Sequence, residues 1–479
     1  MVTKTTLGGS GPKLNGWDVR PGEIIIGAGG RPVGCVVLRS REARPDRSAS
    51  PAPQRREAGG SAGERGRHGG LERSLSNSSR SGGRSSRRSG KTEESRGVGL
   101  WLVGACGGVG STVAVALAAF SRRLADPLGC VTALPELARL PLVAFPDIVL
   151  GGHEVRRTDW TEGAAEIQSK AEVFSEALVA RCGPTLRRWS RNLRPGTALH
   201  SGNPVARMAD WSNGRPGRPL MAMVERLRAD MDGFKRRHRL ARVVVVNVAS
   251  TEPPFPVGEV HRSWSALRRA LASRRTGVLP ASSLYASAAV LGGHGYVNFT
   301  PSTGATLPAL FELAGQTGAV LAGDDGKTGE TLIKSVLAPM FAARNLRLLS
   351  WSGHNILGNR DGQVLADPVT KKSKIQSKNH LIASIVGYQP QTSVSIDFVE
   401  SLHDWKTAWD FIHFQGLLGT KMSLQFIWQG CDSVLAAPLV IDLARLAAFH
   451  QQIGGVGVMA HLACFFKRPV GTSEQDFFK

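Results

Sequence analysis

Val98-Gly99-Leu100-Trp101-Leu102-Val103, then Gly104-Ala105-Cys106-Gly107-Gly108-Val109-Gly110-Ser111-Thr112, then a small apolar run to Phe120: from Gly97 to Phe120 no residue is charged. A run of that length raises a membrane span, and Ser86-Arg87-Arg88 upstream hints at a twin-arginine export signal. The run nevertheless divides into a buried strand (98–103), a turn holding Gly104, Gly107, Gly108 and Gly110, and a helix over 113–123. Clustered glycines weaken a spanning helix. They suit a turn between strand and helix that binds phosphate, because a backbone without Cβ lets a pyrophosphate approach a helix N-terminus. The expectation is an α/β protein with a nucleotide-binding turn and no membrane span.

Further strands extend the same pattern. Residues 145–150 form an apolar run that ends at Gly151-Gly152-His153-Glu154, where Glu154 is placed to accept from a cofactor ribose hydroxyl. Residues 242–248 are the clearest buried strand and lead into the polar loop Ala249-Ser250-Thr251. In a parallel sheet that carboxyl edge is where ligands bind. Later runs, 392–399 and 422–428, alternate apolar with polar residues, which predicts a second sheet with one covered face. Between these two runs, His403-Asp404-Trp405-Lys406 is expected to precede a helix through Phe411. A long apolar helix from Cys431-Asp432-Ser433 to about Phe449 follows.

A second dense stretch runs from Gly323 to Lys378. It opens with Gly323-Asp324-Asp325-Gly326-Lys327-Thr328-Gly329-Glu330-Thr331 and closes with Ser373-Lys374 and Ser377-Lys378. Asp324 or Asp325 is expected to cap a helix beginning near Lys327, so that Lys327, Thr331 and Lys334 share one face. Lys374 and Lys378 repeat the i, i+4 spacing. Such cations suit a phosphorylated or oxyanionic ligand. A solvated lysine face fits the spacing equally well.

The chain has 479 residues and a formal net charge of +22. Residues 1–100 carry 19 Lys+Arg against 9 Asp+Glu, so +10 of that charge sits in the head and the body is only mildly basic. The head is rich in Arg, Ser, Gly and Pro and has too little apolar material to offset ordering entropy, so residues 1–97 are expected to be a disordered basic extension. Any nucleic-acid binding would reside there, and the lack of interleaved aromatics argues against it. Six cysteines without C-x-x-C spacing fit reduced thiols and a cytoplasmic location. No metal-ligand cluster is visible.

Six motifs occur in one order: Gly-x-x-Gly-Gly-x-Gly-Ser-Thr from Gly104, Gly-Asp-Asp-x-Lys-Thr-Gly-x-Thr from Gly323, Asn-x-Leu-Gly-Asn-x-Asp-Gly from Asn355, Ser-Lys-x-x-Ser-Lys from Ser373, Asp-x-Lys from Asp404, and Asp-Ser-x-Leu-Ala-Ala-Pro-Leu from Asp432. Together they resemble the myo-inositol-1-phosphate synthase (inositol-3-phosphate synthase) family, in its bacterial branch, over roughly 98–479. The resemblance implies a Rossmann-like NAD-binding domain over 98–322, completed by 432–479, and an inserted α/β domain for catalysis and tetramerisation over 323–431. It implies a cytoplasmic homotetramer that cyclises glucose 6-phosphate to myo-inositol phosphate by internal oxidation, enolisation, aldol closure and re-reduction. NAD is regenerated, and some members of the family require a cation. A sugar-phosphate cyclase or epimerase acting on another substrate, or a catalytically silent NAD-binding regulator, would share much of this pattern.

Matched by motif, Lys374 corresponds to the lysine at the reacting hydroxyl, with Asp325 as its electrostatic partner. Lys378, Lys406 and Lys467 resemble the cations that hold phosphate and stabilise oxyanions. Thr328, Asn355 and Asn359 match polar substrate contacts, and Lys327 and Lys334 share the pattern. The cofactor set comprises Gly104, Cys106, Gly107, Gly108, Val109, Gly110, Ser111, Glu154, Ala249, Ser250, Thr251, Asp361, Asp404, Asp432 and Ser433. Three features depart from the family. Cys106 replaces a glycine, Gly108-Val109 replaces two asparagines, and Arg360 replaces an asparagine.

Overall fold

A computed structural model describes residues 97–214, 218–365 and 381–478, with two short strands in the head. The chain divides into units Met1–Arg87 and Arg88–Lys479. In the first, β1 (Ile25–Ile26) pairs antiparallel with β2 (Pro32–Val33). The expected disorder of the rest of the head lies outside the described residues.

The second unit carries two sheets. In the larger, β3 (Val98–Val103), β4 (Ile148–Glu154), β5 (Leu193–Pro195), β6 (Arg242–Asn247), β7 (Gly295–Asn298), β8 (Val320–Ala322) and β13 (Gly457–Val458) lie in the order β13-β8-β7-β6-β3-β4-β5. Every pairing is parallel. The strands read as continuous apolar runs because both faces are covered. Leu100, Leu102, Val244 and Val246 pack into one core with the helices Gly108–Ser121 and Asp432–Gln452. Trp101, Val103, Val243 and Val245 pack into the other with Leu220–Arg237 and Ala281–Leu291. The chain winds one way from β3 through β4 to β5 and the other way from β6 onward. The switch point falls between β3 and β6, where a doubly wound sheet opens its crevice. Asp432–Gln452 is long and apolar enough to cross a membrane by composition, but here it is buried against this sheet.

The helix after β3 begins at Gly108, not near Val113. Only glycine fits at position 110 of its first turn, since a Cβ there would lie 2.2 Å from Ala105 O. The first strand after the turn also shifts, with β4 starting at Ile148 after a short 3-10 turn over Phe145–Asp147.

The smaller sheet has the order β10-β9-β11-β12, from β9 (Arg347–Leu357), β10 (Gln391–Phe398), β11 (Trp405–Gln415) and β12 (Lys421–Cys431). β10 runs parallel to β9, and the other pairs are antiparallel. The helix expected before Phe411 is therefore a strand. Ala408, Asp410 and Ile412 point inward and Trp409 outward, a period of two that the aromatic content of the segment conceals. The helix Gly329–Ala343 covers the inner face through Ala338 and Phe341, against Leu348, Trp351 and Ile412.

Candidate functional site

The glycine turn leaves β3 through Gly104, whose φ of +78° is open to glycine at little cost. A Cβ there would lie 2.7 Å from Ala249 Cα, so the turn and the loop after β6 touch at the crevice floor. Gly107, Gly108 and Val109 face the crevice at the start of the helix Gly108–Ser121, where backbone N–H groups lack intrahelical acceptors. A Cβ on Gly108 would stand 2.5 Å from Ser433 Oγ, and that close approach leaves room for backbone alone. The turn therefore fits a dinucleotide pyrophosphate.

Glu154 ends β4 beside the turn. Its carboxylate accepts from Cys106 N at 2.8 Å and from Val155 N at 2.9 Å, and Arg156 Nη2 donates to Cys106 O at 2.9 Å. Cys106 itself lies behind the turn. Burial, then the adjacent Glu154 charge, pushes its thiol far above the usual range, so it stays protonated. Gly110 and Ser111 also sit behind the turn, with Ser111 packed against Gly163. On the wall are Gly104, Gly107, Gly108, Val109, Glu154, Ala249, Ser250, Thr251, Asp404, Asp432 and Ser433. Asp361 lies on the helix Arg360–Leu365.

The opposite wall comes from the second sheet and from the chain's end. Asp404 accepts from Ser433 Oγ at 3.0 Å, Ser433 N at 3.1 Å, Cys431 Sγ at 2.8 Å and Asn359 Nδ2 at 3.2 Å. Burial nevertheless pushes its carboxyl above the usual range. Lys406 Nζ stands 3.8 Å from Asp432 Oδ1. Lys467 Nζ donates to Asp325 Oδ1 at 2.8 Å. Lys406, Lys467, Asp325, Thr328 and Asn359 all line the same crevice as the glycine turn. Lys374 and Lys378 lie outside the described residues.

The remaining sequence candidates stand elsewhere. The helix after the Gly-Asp-Asp motif starts at Gly329 with Thr328 in the N-cap position, so Lys327 precedes it and shares no face with Lys334. Neither aspartate caps it. Asp324 is held by Arg468 and Asp325 by Lys467, and these partners, distant in sequence, do not show in local spacing. Lys327 is buried and its Nζ has no hydrogen-bond partner among the described residues; burial lowers its pKa to about 8. Lys334 is buried against the second sheet, paired with Glu330 and 3.3 Å from Asp410. Asn355 is fully buried on β9. The structure adds Arg156, Phe299, Thr300 and Pro301 to the wall. Only the last three carried a sequence signal, the polar loop after β7. No group of three or more His, Cys, Asp or Glu able to hold a metal occurs among the described residues.

A glycine turn at the switch point of a parallel sheet, faced by lysines and carboxylates from a second sheet, defines a Rossmann-type dinucleotide-binding enzyme. The NAD-binding family model described as myo-inositol-1-phosphate synthase matches residues 98–479. Inositol-3-phosphate synthase 1 of Bacteroides thetaiotaomicron is 32% identical over 79% of this chain and 91% of its own length. The inositol-3-phosphate synthase of Dictyostelium discoideum is 27% identical over 74% of this chain and 75% of its own. The chain belongs to the myo-inositol-1-phosphate synthase family. Its fold resembles that of Caenorhabditis elegans inositol-3-phosphate synthase, with a TM-score of 0.71 and 24% identity over 80% of this chain and 84% of that one. A myo-inositol-1-phosphate synthase-related protein from Thermotoga maritima gives 0.65 and 24% over 79% and 94%.

Proposed function

We propose that this enzyme converts glucose 6-phosphate to myo-inositol phosphate by oxidation at C5, enolisation, aldol closure and reduction, with no net redox change. The observation that carries the reading is the Lys467–Asp325 pair and Lys406 facing the glycine turn across one crevice. Bound NAD would supply the hydride acceptor and donor, held by Gly107, Gly108 and Val109. The chain's own groups handle protons and charge. Lys374 takes the proton of the reacting hydroxyl. Lys406 and Lys467 would counter the negative charge that develops on the enolate and alkoxide oxygens, a role suited to fixed cations. Thr328 and the N-terminus of Gly329–Ala343 present N–H groups suited to a phosphomonoester, with Lys378 as an added cation.

The five described cysteines are unpaired, which supports a cytoplasmic location. A homotetramer is the expected assembly. The outer face of the second sheet supports it, because Trp409 and Ile427 lie in direct register there, 42% and 69% exposed.

The test incubates purified enzyme with NAD and glucose 6-phosphate. Inositol phosphate should form without accumulating NADH. Stoichiometric NADH would point instead to a simple dehydrogenase. Lys374→Ala should abolish turnover and leave NAD binding intact.

A further inference from the structure

The glycine turn meets the pyrophosphate with backbone only, since Gly107, Gly108 and Val109 carry no polar side chain. A helix N-terminus supplies roughly half a positive charge, well short of two phosphate charges. A side-chain cation would strengthen the site. Among the described residues four line the crevice: Arg156, Arg360, Lys406 and Lys467. Lys467 and Lys406 stand beside Asp325 and Asp432, while Arg156 is turned under the turn onto Cys106 O.

Arg360 is paired with a carboxylate too, but its fork keeps donors to spare. It follows Asn359, which donates to Asp404, and Asp404 and Ser433 are the groups against Gly108, the first residue of the glycine helix. From there it reaches across to the helix Trp160–Ala171. Its Nη2 donates to both Glu166 oxygens, at 2.6 and 2.8 Å. Glu166 sits one turn beyond Gly163, the glycine that packs on Ser111 and Cys106 O. Arg360 is thus stretched between the two walls that flank the turn. Its guanidinium has five N–H donors, and among the described residues Glu166 alone accepts from it, through Nη2.

We propose that Arg360 binds the dinucleotide pyrophosphate and that Glu166 holds its fork over the glycine turn. The planar fork accepts a carboxylate on one edge and a phosphate oxygen on another, which a lysine cannot do. Burial alone would push the Glu166 carboxyl up, but the Lys170 hydrogen bond and the Arg360 charge outweigh it, so Glu166 stays ionised and keeps the fork in place. The proposal rests on the reading that this crevice holds NAD.

The test titrates wild type, Arg360→Ala, Arg360→Gln and Glu166→Gln with NAD, ADP-ribose and adenosine by calorimetry, at low and high salt. Losing a charge-assisted phosphate contact should weaken NAD and ADP-ribose about tenfold in both arginine variants. Adenosine, which has no phosphate, should change less than about twofold, and the salt dependence of NAD binding should become shallower. Glu166→Gln should cost less than either arginine variant. An unchanged NAD affinity in Arg360→Ala and Arg360→Gln overturns the proposal. Equal losses for all three ligands, matched by Glu166→Gln, also overturn it, since they mark an arginine that merely joins the two walls. Failure of wild type to bind NAD at all sinks the cofactor reading, and this proposal with it.

Discussion

Lys467 and Asp325 are 142 positions apart in the chain and 2.8 Å apart in space. Asp325 has a φ of +63°, uncommon for a residue with a side chain, and its N–H is held by Thr300 O at 3.1 Å. That backbone aims the carboxylate at Lys467, which is almost wholly buried. Lys467→Ala removes a cation where charge develops, so kcat should fall by about 10²–10³-fold while the Kd for NAD stays within about twofold. Rapid-mixing turnover and calorimetry measure the two separately. The residue types at these positions were legible in the sequence as motifs. Lys327 and Lys334 looked equally purposeful by spacing, but one is buried without a hydrogen-bond partner among the described residues and the other is buried in an ion cluster.

Two elements set the position of the crevice wall. Residues 323–327 and 465–470 run as an antiparallel ribbon, with Lys327 N on Phe465 O, Lys467 N on Asp325 O and Val470 N on Gly323 O. Arg468 clasps it, donating to both Asp324 oxygens at 2.9 Å and to Pro301 O at 2.8 Å. Arg468→Ala should lower kcat about tenfold or more by loosening Lys467, with the NAD Kd little changed. Equal loss of both would mean general unfolding. Glu252 is the other element-scale device. It accepts from Ser282 N at 2.7 Å at the start of the helix Ala281–Leu291 and so anchors the loop after β6. Burial raises its carboxyl pKa to about 7, opposed by the Ser282 bonds. A raised carboxyl binds its proton more tightly in the folded state. Its contribution is therefore fully present below the ordinary carboxyl pKa and is lost as pH rises toward about 7. The melting temperature of wild type should fall over that window, and that of Glu252→Gln should fall less, as a calorimetric pH series will measure.

At the scale of the molecule, the larger sheet supplies the glycine turn and the smaller sheet brings Lys406 and Asp404 to face it. The outer face of the smaller sheet carries Trp409 and Ile427 side by side. If the proposed tetramer uses this face, Ile427→Lys, alone or with Trp409→Lys, should shift the mass measured by light scattering toward smaller species. An unchanged mass would move the assembly surface elsewhere.

Local chemistry was enough for the sequence to determine the glycine turn and a parallel α/β sheet, while the Rossmann-like form came from the family resemblance carried by the ordered motifs. Clustered glycines and continuous apolar strands reflect constraints that act within a few residues. The same local reading mistook β11 for a helix, because Ala408, Trp409, Phe411 and Ile412 are apolar at inward and outward positions alike. Only the tertiary structure decided that Asp325 belongs to Lys467, Asp324 to Arg468 and Arg360 to Glu166. Those pairings join segments more than a hundred residues apart: the first two exist only once the chain's end has crossed back onto the loop that opens at Gly323, and the third only once the helix Arg360–Leu365 lies against the helix Trp160–Ala171.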